Sequence, residues 1–279
     1  YDKYHKGRES NQKFKRIFAA VLAAMTLGLA ITGCSNNGGS GTADDTIVIG
    51  LDVGFAPMGF EQDGEIVGFD IDLARAVIED KMGKSVEFQP IDWGSKEAEL
   101  NTGKVDLLWN GLSRSPEREE NMALTNSYLK NDQILVVKSG SDIASSADLT
   151  GKVLAMQEGS TAEDAWATFK EEHADVNPST VNLLSDNVIC LTELEQDKAD
   201  AVLMDSVVAE YYLATNEEYS NLTILDDVIA SEEYAVAAAK DNTELRDQIN
   251  EALNECVQDG TAAQISEKWF GSDIIFWEE

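Results

Sequence analysis

Arg118 and Asp205 are the residues whose type and placement point to ligand chemistry in this 279-residue sequence. Arg118 falls in the first turn of a predicted helix that Ser115 opens, with Pro116 at its first position. The free N–H groups of a helix start favour an anion, and the planar guanidinium fork suits a carboxylate. Asp205 follows the apolar run Ala201–Met204 and supplies the opposite sign. A cation and an anion on facing lips of a cleft suit a zwitterion such as an α-amino acid. Other polar residues gather at the ends of apolar runs: Asp52, Phe55 and Pro57; Asn110-Gly111-Leu112-Ser113; and Gln157-Glu158-Gly159-Ser160-Thr161. Ser160-x-x-Glu163 and Thr161-x-x-Asp164 each fit a capping box, so a second helix start faces the same region.

The elements that must position these residues alternate along the chain. Strands are expected at Ile47–Leu51, Val86–Ile91, Val105–Trp109, Ile134–Lys138, Lys152–Met156, Val181–Leu184, Ala201–Met204, Leu222–Leu225 and Tyr234–Ala239. Helices are expected at Asp70–Lys81, Ser95–Asn101, Pro116–Asn121, Thr161–Glu172, Asn187–Asp197, Ser206–Thr215, Thr243–Asp259 and Thr261–Trp269. In the first of these, Asp70 can cap, Ile71, Ala74, Val77 and Ile78 recur at helical spacing, and Gly83 stops the run. Such alternation implies an α/β fold of mostly parallel sheets with helices on both faces, binding ligands beyond the carboxyl ends of strands. The alternation divides into two series, Ile47 to about Lys130 and about Lys152 to Leu225. Two arrangements fit: consecutive domains with one linker, or two lobes whose last segments return to the first, leaving two crossings as a hinge.

Lys13, Lys15 and Arg16 precede the largely apolar run Ile17–Ile31, which closes on Thr32-Gly33-Cys34. A basic start, a short apolar stretch and small residues describe a secretory signal, and the run is too short for a spanning helix. Ile31-Thr32-Gly33-Cys34 resembles the bacterial lipobox, which implies that Cys34 is acylated and becomes the first mature residue. Residues 1–12 lie outside this signal and read as an upstream extension, and residues 1–33 are set apart from the fold. Ser35 to Asp45 reads as a flexible tether. The chain carries a formal net charge of −31, and its basic leader leaves the remainder more acidic still. That excess argues against nucleic acid and against adsorption to anionic lipid. No Cys-x-x-Cys occurs and the histidine of the mature part is His173, so neither a His/Cys metal site nor a cofactor is expected. Cys190 and Cys256 read as buried thiols, with a disulfide as the alternative. Without a phosphate-cradling glycine loop, any energy input must come from another polypeptide.

Several segments in order resemble one family. Phe55-Ala56-Pro57, Val67-Gly68-Phe69-Asp70-Ile71-Asp72-Leu73-Ala74, Gly103-Lys104-Val105-Asp106, Ser113 to Arg118, Ala199 to Asp205 and Leu245 to Phe270 are similar to the polar amino-acid-binding proteins of ABC importers. The resemblance covers essentially Thr46–Phe270. It implies a two-lobed periplasmic-binding-protein clamshell with two crossover strands, lobe 1 at 46–133, lobe 2 at 134–231 and a return at 232–279. It further implies that Arg118, Ser113 and the N–H groups near Ser160 and Thr161 hold the ligand carboxylate. Asp205, the carbonyl of Gly111, beside Asn110, and Ser113 as well take the ammonium. Phe55 and Trp93 form aromatic walls, while Asp52 and Gln157 face the ligand side chain. Met58 stands where an aromatic is usual and Gly111 where Ser or Ala is common, and Gln157 varies with ligand in the family. The partners implied are a free amino acid, a membrane permease with its separate ATPase, and the bilayer through Cys34, on the outer face of the cytoplasmic membrane.

Two rivals share this architecture. A dehydratase of the same fold needs a positioned acid/base pair, and beside Asp205 the cleft turns offer only Asp52 and Glu158. A sensor module needs an attached membrane or kinase segment. The expectation is therefore capture, without catalysis.

Overall fold

Apolar, β-branched runs form a single sheet that passes through both lobes of a computed structural model, which describes residues 45–277. The expected signal, Cys34 and residues 35–44 of the tether lie outside the described residues. Lobe 1 contains β1 (Thr46–Leu51), β2 (Gly54–Phe55), β3 (Gly59–Gln62), β4 (Glu65–Val67), β5 (Ser85–Pro90), β6 (Leu107–Ser113) and β7 (Met122–Leu124). Strand β8 (Leu129–Lys138) leaves it for lobe 2, which holds β9 (Val153–Gln157), β10 (Thr180–Leu184) and β11 (Ala201–Asp205); β12 (Leu222–Ala239) comes back. The helices are α1 (Phe69–Arg75), α2 (Lys96–Asn101), α3 (Pro116–Asn121), α4 (Thr161–Glu172), α5 (Asn187–Glu195), α6 (Ser206–Thr215), α7 (Thr243–Gln258) and α8 (Thr261–Phe270).

The strand order is β10-β9-β11-β8-β12-β6-β1-β5, with β7 on β12, while β2, β3 and β4 form a small separate sheet. In the main sheet β1 pairs parallel with β5 and β6, and β9 with β10 and β11, while β2, β3 and β4 pair antiparallel. The crossover strands β8 and β12 pair antiparallel with each other along nearly their whole length. Parallel strands are buried on both faces, so they read as continuous apolar runs. Each lobe accordingly buries core on both sides of its strands.

Four local expectations are corrected. Asn110 to Ser113 is the end of strand β6, not a turn: Leu112 and Ser113 pair with Ala235 and Tyr234 of β12. Leu222–Leu225 and Tyr234–Ala239 are one strand, whose irregular register lies among Ile224, Val228 and Ala230. The short strands β2, β3, β4 and β7 were not foreseen, being two to four residues long, too short to show a periodicity. Asp70 does not cap α1. Gly68 occupies the cap at φ 147, where a Cβ would meet the Met58 carbonyl oxygen at 2.1 Å, and Asp70 is fully buried. The helical run continues from α1 as a π-helical stretch over Ala76–Lys81.

Cys190 on α5 and Cys256 on α7 are both buried and unpaired. Among the described residues no helix is long and apolar enough to cross a membrane, and no cluster of His, Cys, Asp and Glu could hold a metal ion.

Candidate functional site

The carboxyl ends of β1 and β6 meet those of β9 and β11 across the cleft, and the polar residues there form three groups. The first surrounds Arg118. Ser115 caps α3 by accepting from the Arg118 N–H at 3.2 Å, with Pro116 at the start, which presents the arginine at 6 % exposure. Its Nη1 donates to the Ser113 carbonyl (2.8 Å) and its Nη2 crosses to the Gly159 carbonyl of lobe 2 (3.3 Å). Thr161 Oγ1, at the first position of α4, donates to Ser113 Oγ at 3.1 Å. Ser160 is the cap of α4, accepting from the Ala162 N–H. Lys96, from α2, also crosses the cleft, its Nζ donating to the Gly159 carbonyl at 2.7 Å. Burial, then the Arg118 charge, pulls this lysine down to about 8, and burial likewise lowers Arg118. Two buried cations thus converge on one neutral carbonyl, an arrangement that a carboxylate would stabilise.

The second group is anionic. Asp205, at the end of β11 and 4 % exposed, accepts from Asn131 Nδ2 (2.7 Å) and the Tyr234 hydroxyl (2.7 Å). Burial, then the neighbouring Glu232 carboxylate, pushes Asp205 up to about 8. Glu232 Oε1 accepts from Ser113 Oγ at 2.7 Å, linking the two groups.

The third group lies around Asp52, at the end of β1. Its carboxylate accepts from the Gly54 N–H (2.8 Å) and from Gln157 Nε2 of the other lobe (2.7 Å). Burial raises Asp52 to about 6, against those two bonds, and the charges of Asp186 and Asp92 add to the rise. Gln157 also accepts from Asn187 Nδ2 at 3.0 Å. Phe55 and Trp93 are both 6 % exposed, with Lys96 Nζ 5.4 Å from the Trp93 ring centroid. Asn110 is committed to the backbone: its Oδ1 accepts from the Asp52 N–H at 3.1 Å. Trp109 is fully buried against Tyr128 in the core.

The chain matches the bacterial extracellular solute-binding proteins, family 3, over residues 47–272. It belongs to that family. The solute-binding relatives include the arginine-binding extracellular protein ArtP of Bacillus subtilis, 30% identical over 90% of this chain and 96% of that one. An ABC uptake transporter substrate-binding protein from Streptococcus pneumoniae, solved with bound histidine, is 41% identical, with a TM-score of 0.78 over 84% of this chain and 95% of that one. The arginine-, lysine-, histidine-binding protein ArtJ of Geobacillus stearothermophilus is 31% identical, with a TM-score of 0.74 over 82% and 96%. The solute-binding proteins among these structures supply the clamshell for comparison, and the two lobes of this chain follow it.

The glycine at position 111 of this solute-binding protein has a steric origin. Gly111 has φ 57, and a Cβ there would meet Phe55 Cε1 at 2.5 Å and the Tyr234 ring at 3.1 Å. Glycine lets Phe55 lie against the strand. Met58 is fully buried in the lobe 1 core, away from any solvent-facing wall.

Sequence reasoning overlooked Lys96, Asn131, Gln133, Tyr212 and Glu232. Lys96 and Glu232 look like ordinary surface charges in their local sequence, and their placement depends on partners 63 and 119 residues away. Tyr212 donates from α6 to the Gly54 carbonyl at 2.9 Å, again across the cleft.

Proposed function

We propose that this chain is the substrate-binding component of an amino-acid ABC importer, capturing a free polar amino acid between its lobes and delivering it to a membrane permease. The observation that carries the reading is the joining of Arg118 and Asp205 by one hydrogen-bonded set, Ser113, Thr161, Asn131 and Glu232, within a chain of this family. A carboxylate belongs at the cationic end, held by Arg118, Ser113 and the N–H groups near Ser160 and Thr161. An ammonium belongs at Asp205, with the Gly111 carbonyl as the second acceptor that the family resemblance implies. The side chain points to Asp52 and Gln157 between Phe55 and Trp93, an environment for a cationic or amide group; Asn110 supports this wall from behind. Relatives named for arginine, histidine, glutamine and cystine fit that chemistry.

Closure is favoured by the ligand because only the closed form completes contacts from both lobes. The lobes divide at 46–133, 134–231 and 232–279. The chain transports and does not catalyse: the acids of the site are already hydrogen-bonded into binding roles. It is a lipoprotein, cleaved after a signal peptide, held through acylated Cys34 on the outer face of the cytoplasmic membrane, and served by a separate ATPase. Two acyl chains suffice for stable anchoring.

The test is a thermal-shift screen of the chain from Ser35 onward against the common amino acids and L-cystine, followed by calorimetry. A native-state ligand raises the melting temperature by mass action. The amino acid that binds should lose affinity on removal of its amino group and on Asp205→Ala. Equal affinity for the des-amino analogue would overturn zwitterion capture.

A further inference from the structure

Asp205 has a partner acid that arises from sheet register. Strand β8 lies between β11 and β12, with Gln133 opposite Asp205 and Asn131 opposite Glu232. Asn131 and Gln133 are two residues apart on one strand, so both they and the residues opposite share one face. The two acids therefore lie on the same face on either side of β8. The Asn131 Nδ2 amide donates to Asp205 Oδ1 and to Glu232 Oε1, each at 2.7 Å, and Gln133 Nε2 donates to Glu232 Oε1 at 2.9 Å.

A further observation points to a missing donor. Gln133 is 0 % exposed, its amide sits against Glu232, and its Oε1 finds no donor among the described residues. A buried acceptor left without a donor is costly. An ammonium has three N–H donors, and Asp205, Glu232 and Gln133 Oε1 offer acceptors for it.

We propose that Glu232 is the second acid of the amine subsite: the ligand ammonium lodges between Asp205 and Glu232, and capture expels to solvent the proton that Asp205 carries beside Glu232. The inference rests on the amino-acid reading above. The step balances: a protonated Asp205 and an ammonium become an ionised Asp205 with the ammonium, plus one proton taken up by buffer. The proton has an exit. Glu232 is half-buried and, with Asn131 and Ser206, reaches a surface groove of about 630 Å³ beside the crossover strands.

The charged and titratable groups facing the pair are Arg118 from α3, with Tyr234 from β12 donating to Asp205. Arg114, Lys130, Asp132 and Glu233 line the groove on its outer side. Burial and Glu232 hold Asp205 above neutrality, and an arriving cation favours its ionised form. Affinity should therefore rise with pH below that value, because the bound form carries fewer protons.

L-arginine, L-glutamine, L-histidine and L-cystine are titrated by calorimetry at pH 7 in buffers of different ionisation enthalpy, into the wild-type chain and E232Q. Glutamine keeps the shape and an acceptor while removing the like charge that raises Asp205. Wild type should release roughly 0.5–0.9 proton more per amino acid bound than the variant. Between pH 6 and 7 the wild-type Kd should fall roughly five- to tenfold, and that of E232Q by less than about twofold. An equal proton count in the two proteins, or parallel pH profiles, overturns the role of Glu232 while leaving amino-acid capture standing. Binding of none of the four overturns capture itself, and the inference with it.

Discussion

Asp70→Asn should change how the stability of this protein depends on pH. Asp70 is wholly buried; it accepts from the Gly111 N–H at 2.7 Å and from the Tyr128 hydroxyl at 2.8 Å. Burial outweighs both bonds and raises the carboxyl from 3.8 to about 7. A raised folded value means that the group's stabilising contribution is complete below its unfolded value and is lost as pH rises to about 7. Linkage between those two values gives a loss of about 2–3 kcal/mol between pH 5 and pH 8. Asparagine keeps the shape, can accept from Gly111 and can donate to the tyrosine oxygen, but does not titrate. Urea unfolding followed by tryptophan fluorescence at both pH values yields the double difference, in which the similar responses of Asp52 and Asp205 cancel. The variant should lose about 2–3 kcal/mol less than wild type on going from pH 5 to pH 8. A difference below about 0.5 kcal/mol would mean that Asp70 ionises freely in the folded state, and the burial argument would be wrong. Ligand affinity should follow, because Asp70 fixes the backbone at Gly111.

Arg118→Ala should retain the fold but weaken amino-acid binding by about 2–5 kcal/mol, roughly 30-fold or more, and Arg118→Lys should restore only part of it; calorimetry showing near-native affinity removes Arg118 from the site. Cys34→Ala should abolish incorporation of a clickable palmitate analogue in cells, and undiminished label would exclude acylation at this residue. The thiols of Cys190 and Cys256 are buried, and burial raises both above the ordinary thiol range. Ellman's reagent should therefore find them unreactive in the native protein and reactive after unfolding, while fast native labelling would contradict their burial.

Helices were the most legible elements, and the reason is local. Ser115-Pro116 and Ser160 announce their helices by satisfying free N–H groups within three residues, so sequence spacing and structure coincide at Pro116–Asn121 and Thr161–Glu172. Strand ends were less legible. Asn110-Gly111 carries turn chemistry, yet pairing with β12 on either side, at Leu108 and Leu112, keeps it within the strand, and Gly111 takes up the irregularity at φ 57. The charges of Asp226, Asp227, Glu232 and Glu233 made β12 look like two separate strands. One strand results because Leu222–Tyr234 pairs along β8, which joins the lobes, and Tyr234–Ala239 continues along β6 and β7.

The sequence by itself determined the α/β alternation, the family and the helix start that presents Arg118, since caps, apolar periodicity and ordered motifs act over a few residues. Only the tertiary structure decided what meets Asp205 and Asp52. Asn131 and Glu232 reach Asp205 through the register of β8 between β11 and β12, and Gln157 reaches Asp52 from the opposite lobe, 105 residues away. A side chain's partner across a sheet or a cleft is set by pairing between distant strands, and a shift of one residue would turn it to the other face.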